Sequence, residues 1–372
     1  MTRGNTAAFR ADRVFLFYIA LIVVFGLVAL MSASTPVGFS KFNDAYFFIK
    51  RQVAFGLIPG LLLFFIFAKI DYRHWHKLIW VLYGISIILL ILVFVPHLGV
   101  TINNSRSWLG IFGINFQPSE LAKLASIIML AHLLTAKKHQ WNDWQTSLLP
   151  ILAILAPAFL LILAQPDVGT LSILVVTIFI MLYLGKVPGR YLLILSLLGI
   201  VAFIGLVIAA PYRAKRLTTF LYPELDPKGV GYQMNQAFLA VGSGGFWGLG
   251  FGHSRQKFQY LPEVSSDSIY AVIAEENGFL ISVGLVVLIL LIAWRGFKIA
   301  KATPDEFSCL LVSGIMVWLV WQSFLNIGAM VGALPLTGVP LPFISHGGSA
   351  LTVALAAVGI VANVSKQTNL VQ

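Results

Sequence analysis

Long apolar runs separated by short polar segments set the pattern of this chain. A bilayer-spanning helix needs about 20 predominantly apolar residues. Ten stretches approach that length, at 14–31, 52–68, 78–95, 119–134, 148–163, 168–184, 191–209, 268–294, 310–330 and 350–365. The pattern predicts an all-α integral membrane protein of about ten transmembrane helices. Only the segment 211–267, between the seventh and eighth stretches, is long enough to hold structure of its own. The chain therefore divides into helices one to seven (1–210), a long extracytoplasmic loop (211–267) and helices eight to ten (268–372), all within a single domain. The first stretch ends on the small residues Ser32, Ala33 and Ser34. It is nevertheless longer than the ~7–15 residues of a signal-peptide core, so it reads as a retained helix.

Composition sharpens this picture. Hydrophobic residues make up 59% of the chain and charged ones 10%, against about 25% charged in soluble domains. So much apolar surface needs lipid as its solvent, which excludes a soluble enzyme with an anchor. No nucleic-acid partner is expected. Cys309 is the single cysteine, so neither a disulfide nor a Cys-rich metal site can form within the chain.

Positive charge in short loops marks the cytoplasmic side. An N-terminus inside places Arg3, Arg10, Arg13, Lys69, Arg73, Lys77, Lys137, Lys138, Lys186 and Arg190 there, with Arg295, Lys298, Lys301 and Lys366. Every short loop on that side is then basic, and both termini are cytoplasmic. The exceptions lie outside: Lys41, Lys50, Arg51, Arg106, Arg213, Lys215, Arg216, Lys228, Arg255 and Lys257. They read either as solvated charge near headgroups or as a site for an anionic substrate such as a lipid diphosphate, whose usual partners are Arg and Lys.

Several carboxylates stand out. Asp267 falls where the long loop meets the eighth helix, a place suited to helix capping. With Glu263 four residues earlier and a basic loop before both, it is equally a candidate general base. Glu275 and Glu276 lie inside the same predicted span, where carboxylates need a cavity or a partner; a supporting role is expected. Glu120 and Lys123 are three apart on one helix face and read first as a neutralising pair. Asp167, in the short turn after Gln165 and Pro166, either caps the next helix or lines the cavity of Asp267. Arg106 and Trp108 sit on an outer loop, and His346 lies in a Pro/Gly-rich segment, 334–349, that must be buried or border water at membrane depth.

These residues resemble the SEDS family of shape, elongation, division and sporulation proteins over essentially the whole chain. The resemblance rests on FQPSELAK (116–123), AQPDVGT (164–170), DPKGVGYQ (226–233), SRQKFQYLPE (254–263), AEENGF (274–279) and TGVPLPFIS (337–345). Segments 211–227 and 254–263 look more like the division branch, FtsW, than the elongation branch, RodA. The resemblance implies a ten-helix peptidoglycan glycosyltransferase that polymerises lipid II on the outer face of the bacterial cytoplasmic membrane. It implies a class B penicillin-binding transpeptidase and other division proteins as partners. The family's catalytic aspartate carries over to Asp267, and its Glu/Lys pair to Glu120 and Lys123. Two departures are plain: Ser265-Ser266-Asp267-Ser268 stands where the family has His-Thr-Asp-Phe, and Ser345-His346-Gly347 where it has Ser-Tyr-Gly. The first makes the surroundings of Asp267 smaller and more polar.

The expected mechanism is inverting transfer with polyprenyl diphosphate as leaving group and Asp267 as base. Arg213, Arg216, Arg255 and Lys257 are candidates to stabilise the diphosphate. Arg106, Glu120, Lys123, Glu263, Asp167 and His346 are candidates for substrate binding. A divalent cation, Mg or Mn, could share the charge, but no spacing establishes one. Competing classes are a lipid II flippase, which usually carries internal repeats with broken helices that are not found here, and a non-catalytic division scaffold.

Overall fold

The computed structural model describes residues 11–102, 105–111, 114–137, 141, 143–226 and 229–368. Arg3, Arg10, Lys138, Lys228 and the side chain of Lys137, assigned above to loops, lie outside the described residues.

The apolar runs become helices. In chain order they are α1 (Arg13–Phe42), α2 (Phe47–Gln52), α3 (Ile58–Lys69), α4 (Trp75–Leu92), α5 (Pro118–Lys137), α6 (Leu148–Ala164) and α7 (Val168–Leu184). There follow α8 (Gly189–Ile208), α9 (Pro211–Leu221), α10 (Val230–Ser243), α11 (Ile269–Lys301), α12 (Glu306–Met330) and α13 (Gly348–Ser365). A π-helical turn, Val53–Leu57, joins α2 to α3 as one rod. Among the described residues eight helical segments are long and apolar enough to cross a membrane, and α6 and α7 are shorter apolar helices of 17 residues. The chain is a multi-pass membrane protein.

Its centre is made by α5, α12 and α13. About four-fifths of their apolar windows (78%, 78% and 83%) are buried in protein, against 11% for α8 at the rim. The small side chains of α13 explain its place, because Ala, Gly and Ser let helices approach closely where lipid offers no hydrophobic drive. α13 packs along α3 and also touches α5, α11 and α12.

Three features differ from the pattern-based expectation. α1 continues to Phe42 instead of ending near residue 31, because Ser32, Ala33 and Ser34 are buried and Ser32 Oγ bonds Glu276 of α11. The segment 211–267 is not the only connection with structure of its own. The connection before α5 folds into an antiparallel sheet of β1 (Gly99–Ile102), β2 (Ser105–Ile111) and β3 (Ile114–Phe116). β-branched and aromatic residues such as Val100, Ile102 and Trp108 suit such a pleat, and a search for long apolar runs does not detect it. Finally, the long loop contains two helices. Pro211 opens α9 at a position where its missing N–H costs nothing, and α10 buries Met234, Ala237 and Ala240 on the face that meets α11.

α11 is broken at Gly278, whose φ of 72° and ψ of −174° are not helical. The carbonyls released by the break are re-satisfied by the loop: Leu249 N donates to Glu275 O (3.0 Å) and Gly250 N to Glu276 O (2.9 Å). Phe279 N donates back to Gly245 O (2.9 Å). A Cβ at 278 would lie 2.2 Å from Gly248 N. Gly278→Ala therefore combines positive-φ strain of order 1–3 kcal/mol with a backbone clash. It is expected to lower the thermal midpoint in detergent clearly; an unchanged midpoint would mean that the break does not hold the loop.

Candidate active site

Asp267 stands one residue before the cap of α11, which is Ser268. Its carboxylate is thus not used for capping, the plainer of the two sequence readings. The backbone around it is held from the C-terminal part of the fold. Ser265 O accepts from His346 N (2.7 Å), Ser266 O from Ser345 Oγ (2.6 Å) and Asp267 O from Asn326 Nδ2 (2.7 Å). Ser268 N donates to Glu263 O, and Gln233 Nε2 of α10 donates to Ser268 Oγ (2.9 Å).

The clamping segment, 337–346, leaves regular structure between α12 and α13 and is mostly buried, so its backbone must be bonded within the protein. Gln322 Nε2 donates to Pro340 O (2.9 Å) and Asn326 Nδ2 to Val339 O (2.8 Å). Gln52, at the end of α2, bonds Ser345 O and the Gly347 amide. Gly338, at φ 72°, faces Asp267: a Cβ there would sit 3.8 Å from Oδ2.

Asp267 as a residue is half-buried, but its Oδ1 is fully enclosed and has no hydrogen-bond partner among the described residues. Burial, and secondarily the Glu263 carboxylate, push the Asp267 carboxyl up to about 7; its backbone, the Gln233 side chain and the Arg216 charge pull the other way. The ordinary value is 3.8. Ionisation therefore opposes folding increasingly as pH rises from there to about 7, and the charged base accumulates above that pH.

Beside this segment lies a cavity of ≈ 520 Å³. Lys41, Arg51, Trp108, Glu263, Ser266 and His346 are among its walls. Asp267 is not in that lining; its neighbours Ser265 and Ser266 are. Lys41 and Arg51 were visible in the sequence as exceptions to the charge rule, but nothing local tied them to the site. His346 packs edge-on against Phe48 at 5.1 Å. Burial, with the Arg51 charge adding, holds its imidazole down to about 4. Neutral at physiological pH, it brings no positive charge to a phosphate.

Other candidates are placed differently. Lys123 Nζ bonds Glu120 Oε1 (2.9 Å) and Gln322 Oε1 (2.8 Å) and lies 5.0 Å from the Trp318 ring. Both charges are buried, and Lys123 braces Gln322, which holds Pro340. Lys257 is equally withdrawn: its Nζ bonds Glu276 (2.7 Å), Gly252 O (2.8 Å) and Ser32 (3.1 Å), with both charged side chains 3–4% exposed. Glu275 accepts from Ser254 Oγ and from the amides of Arg255 and Gln256. The two glutamates therefore anchor the loop, the supporting role expected of them. Asp167 caps α7 through Thr170 N (3.0 Å) and accepts from Gln117 (3.4 Å). Arg106 donates to Val95 O (2.9 Å) and Arg213 to Leu206 O (3.1 Å). Arg216 and Arg255 are exposed. Among the described residues no group of three or more His, Cys, Asp or Glu side chains could hold a metal ion. The divalent cation considered from the sequence has no preformed ligand set there.

Removing Lys257 alone would strand a buried carboxylate. Lys257→Met is expected to destabilise by roughly 3–5 kcal/mol, and Lys257→Met with Glu276→Gln to recover much of it, read as thermal midpoints. A single variant as stable as the parent would deny the pair its structural role.

Comparison with known proteins places this geometry in a family. The profile of the FtsW/RodA/SpoVE family, described as cell cycle protein, matches residues 12–370. Stage V sporulation protein E of Bacillus subtilis (strain 168) is 42% identical over 93% of this chain and 94% of its own. A probable peptidoglycan glycosyltransferase FtsW of Geobacter sp. (strain M18) is 36% identical over 95% and 96%. Among solved structures, a chain from a peptidoglycan synthase complex that coordinates polymerization and crosslinking superposes with a TM-score of 0.78, at 31% identity, covering 97% of this chain and 99% of that one. Rod shape determining protein RodA of Thermus thermophilus gives 0.70 at 30% identity, over 98% and 99%. Matched from residue 12 to residue 370, this chain belongs to the FtsW/RodA/SpoVE family of cell cycle proteins.

Proposed function

We propose that this chain is a peptidoglycan glycosyltransferase that polymerises lipid II at the outer face of the bacterial cytoplasmic membrane, with both termini in the cytoplasm. Ten membrane crossings, counting α6 and α7, fit that orientation. The observation that carries the reading is Asp267: a carboxylate clamped by its backbone at the mouth of α11, partly desolvated and titrating at about 7. A base with that affinity for a proton is matched to work near neutral pH.

In the proposed step, the 4-hydroxyl oxygen of an incoming lipid II attacks the sugar C1 of the growing strand. The C1–O bond to the polyprenyl diphosphate breaks with inversion, and the electron pair leaves on the diphosphate. The hydroxyl proton passes to Asp267. Arg216, whose charge already acts on Asp267, and Arg255 are the exposed cations of the loop suited to meet the diphosphate. Lys41 and Arg51 make the adjoining cavity basic. Lys257, committed to Glu276, is no longer in that group. The lipid tails stay in the bilayer.

Within the family, septal synthesis during division is the reading supported by relatives named FtsW. A class B penicillin-binding transpeptidase is the partner that suits a polymerase of this kind, and the structural neighbour drawn from a synthase complex supports it.

Asp267→Asn should reach the membrane and yet make no glycan strands from purified lipid II. In the parent enzyme, kcat/KM should fall tenfold per unit below an acid limb at about pH 7, since the base must be ionised. Strand synthesis by Asp267→Asn would remove Asp267 from the chemistry, and an acid limb near 4 would mean that its carboxyl is not raised above the ordinary value.

A further inference from the structure

Asn326 lies in the interior of α12, where asparagine is a poor choice because its side chain competes for backbone bonds. Here it is 2% exposed and spends both amide protons on carbonyls from two separate segments: Asp267 O at 2.7 Å and Val339 O at 2.8 Å. Its own Oδ1 is buried without a partner, so the side chain is held for its donors. One turn earlier, Gln322 makes the same kind of bond to Pro340 O and is itself braced by Lys123 and Trp318. The adjacent carbonyls of 339 and 340 are therefore both pinned from α12, and the residue before them, Gly338, faces the Asp267 carboxylate. Ser345 and His346 fix the carbonyls of 266 and 265, and among the described residues Asn326 ties the backbone of Asp267 itself to the opposing segment.

We infer that Asn326 is a positioning residue for Asp267, cross-linking the two backbone segments that enclose the carboxylate and so setting both its aim and its exclusion from water. The inference rests on Asp267 being the base. With Asn326 replaced, two buried carbonyls lose their donor, a loss that opens the segment or admits water. The carboxylate is then better solvated and less well aimed. An ångström of misplacement is enough for a loss on the order of a hundredfold in rate.

The test compares the parent, Asn326→Leu and Asp267→Asn, each as the full chain in detergent or liposomes with lipid II. Asn326→Leu keeps similar bulk and removes both donors. It should lower kcat by about 10- to 100-fold, leave KM for lipid II within about twofold, and move the acid limb of kcat/KM down by about one pH unit as the carboxylate becomes solvated. A folded Asn326→Leu whose limb stays at the parent value, whatever its kcat, would overturn the inference, since general loosening lowers the active fraction without retuning the base. If Asn326→Leu does not fold, Asn326→Ser, smaller and with one remaining donor, is read against the same limb. Asp267→Asn separates the two levels: if it is active, the base itself falls and this inference with it. If it is inactive while the Asn326 limb does not move, only the role of Asn326 is lost.

Discussion

Buried backbone that leaves a helix must find its hydrogen bonds within the protein, and nearly everything at this site follows from how the chain meets that demand. Two stretches of irregular backbone, 265–267 and 337–346, satisfy one another and α12. The bonds that make their burial tolerable also immobilise Asp267. Stability and preorganisation are thus one set of contacts. A carboxylate so held needs no reorganisation when a substrate hydroxyl arrives, which is where electrostatic catalysis gains most.

The charged groups sort by the same logic. Glu275, enclosed by protein, is held by a hydroxyl and two amides, and the other enclosed charges named above come in pairs, Glu120 with Lys123 and Glu276 with Lys257. Breaking either would strand a buried charge. Asp267 differs: it is enclosed on one oxygen, the charge that acts on it most is another carboxylate, Glu263, and the cation acting on it, Arg216, is exposed. A group left in that state raises its proton affinity instead of staying charged. The fold accepts this cost at one place, next to a basic outer surface.

Much of this was legible in the chain. Run length located the apolar helices, and charge asymmetry singled out the outer cations, Arg51 among them. Spacing alone suggested that Glu120 and Lys123 pair, and the two are found 2.9 Å apart and buried. It also marked Glu275 and Glu276 as supports. What stayed hidden depends on distance along the chain. Asn326 lies 59 residues from Asp267, and Lys257 finds Glu276 19 residues further on, so neither leaves a local signature. Lys257 consequently looked like a phosphate ligand, as a basic residue in a basic loop should. The sheet was missed because its strands are short and only partly apolar.

Direct titration of the Asp267 carboxyl would test the central claim without relying on turnover. Infrared difference spectra between the parent protein and Asp267→Asn, recorded across pH in the same detergent, isolate its protonated C=O band. The account predicts a band that disappears with a midpoint at about pH 7. A band that titrates near the ordinary value of 3.8 would mean that the clamp neither desolvates nor tunes this acid, and would contradict the account.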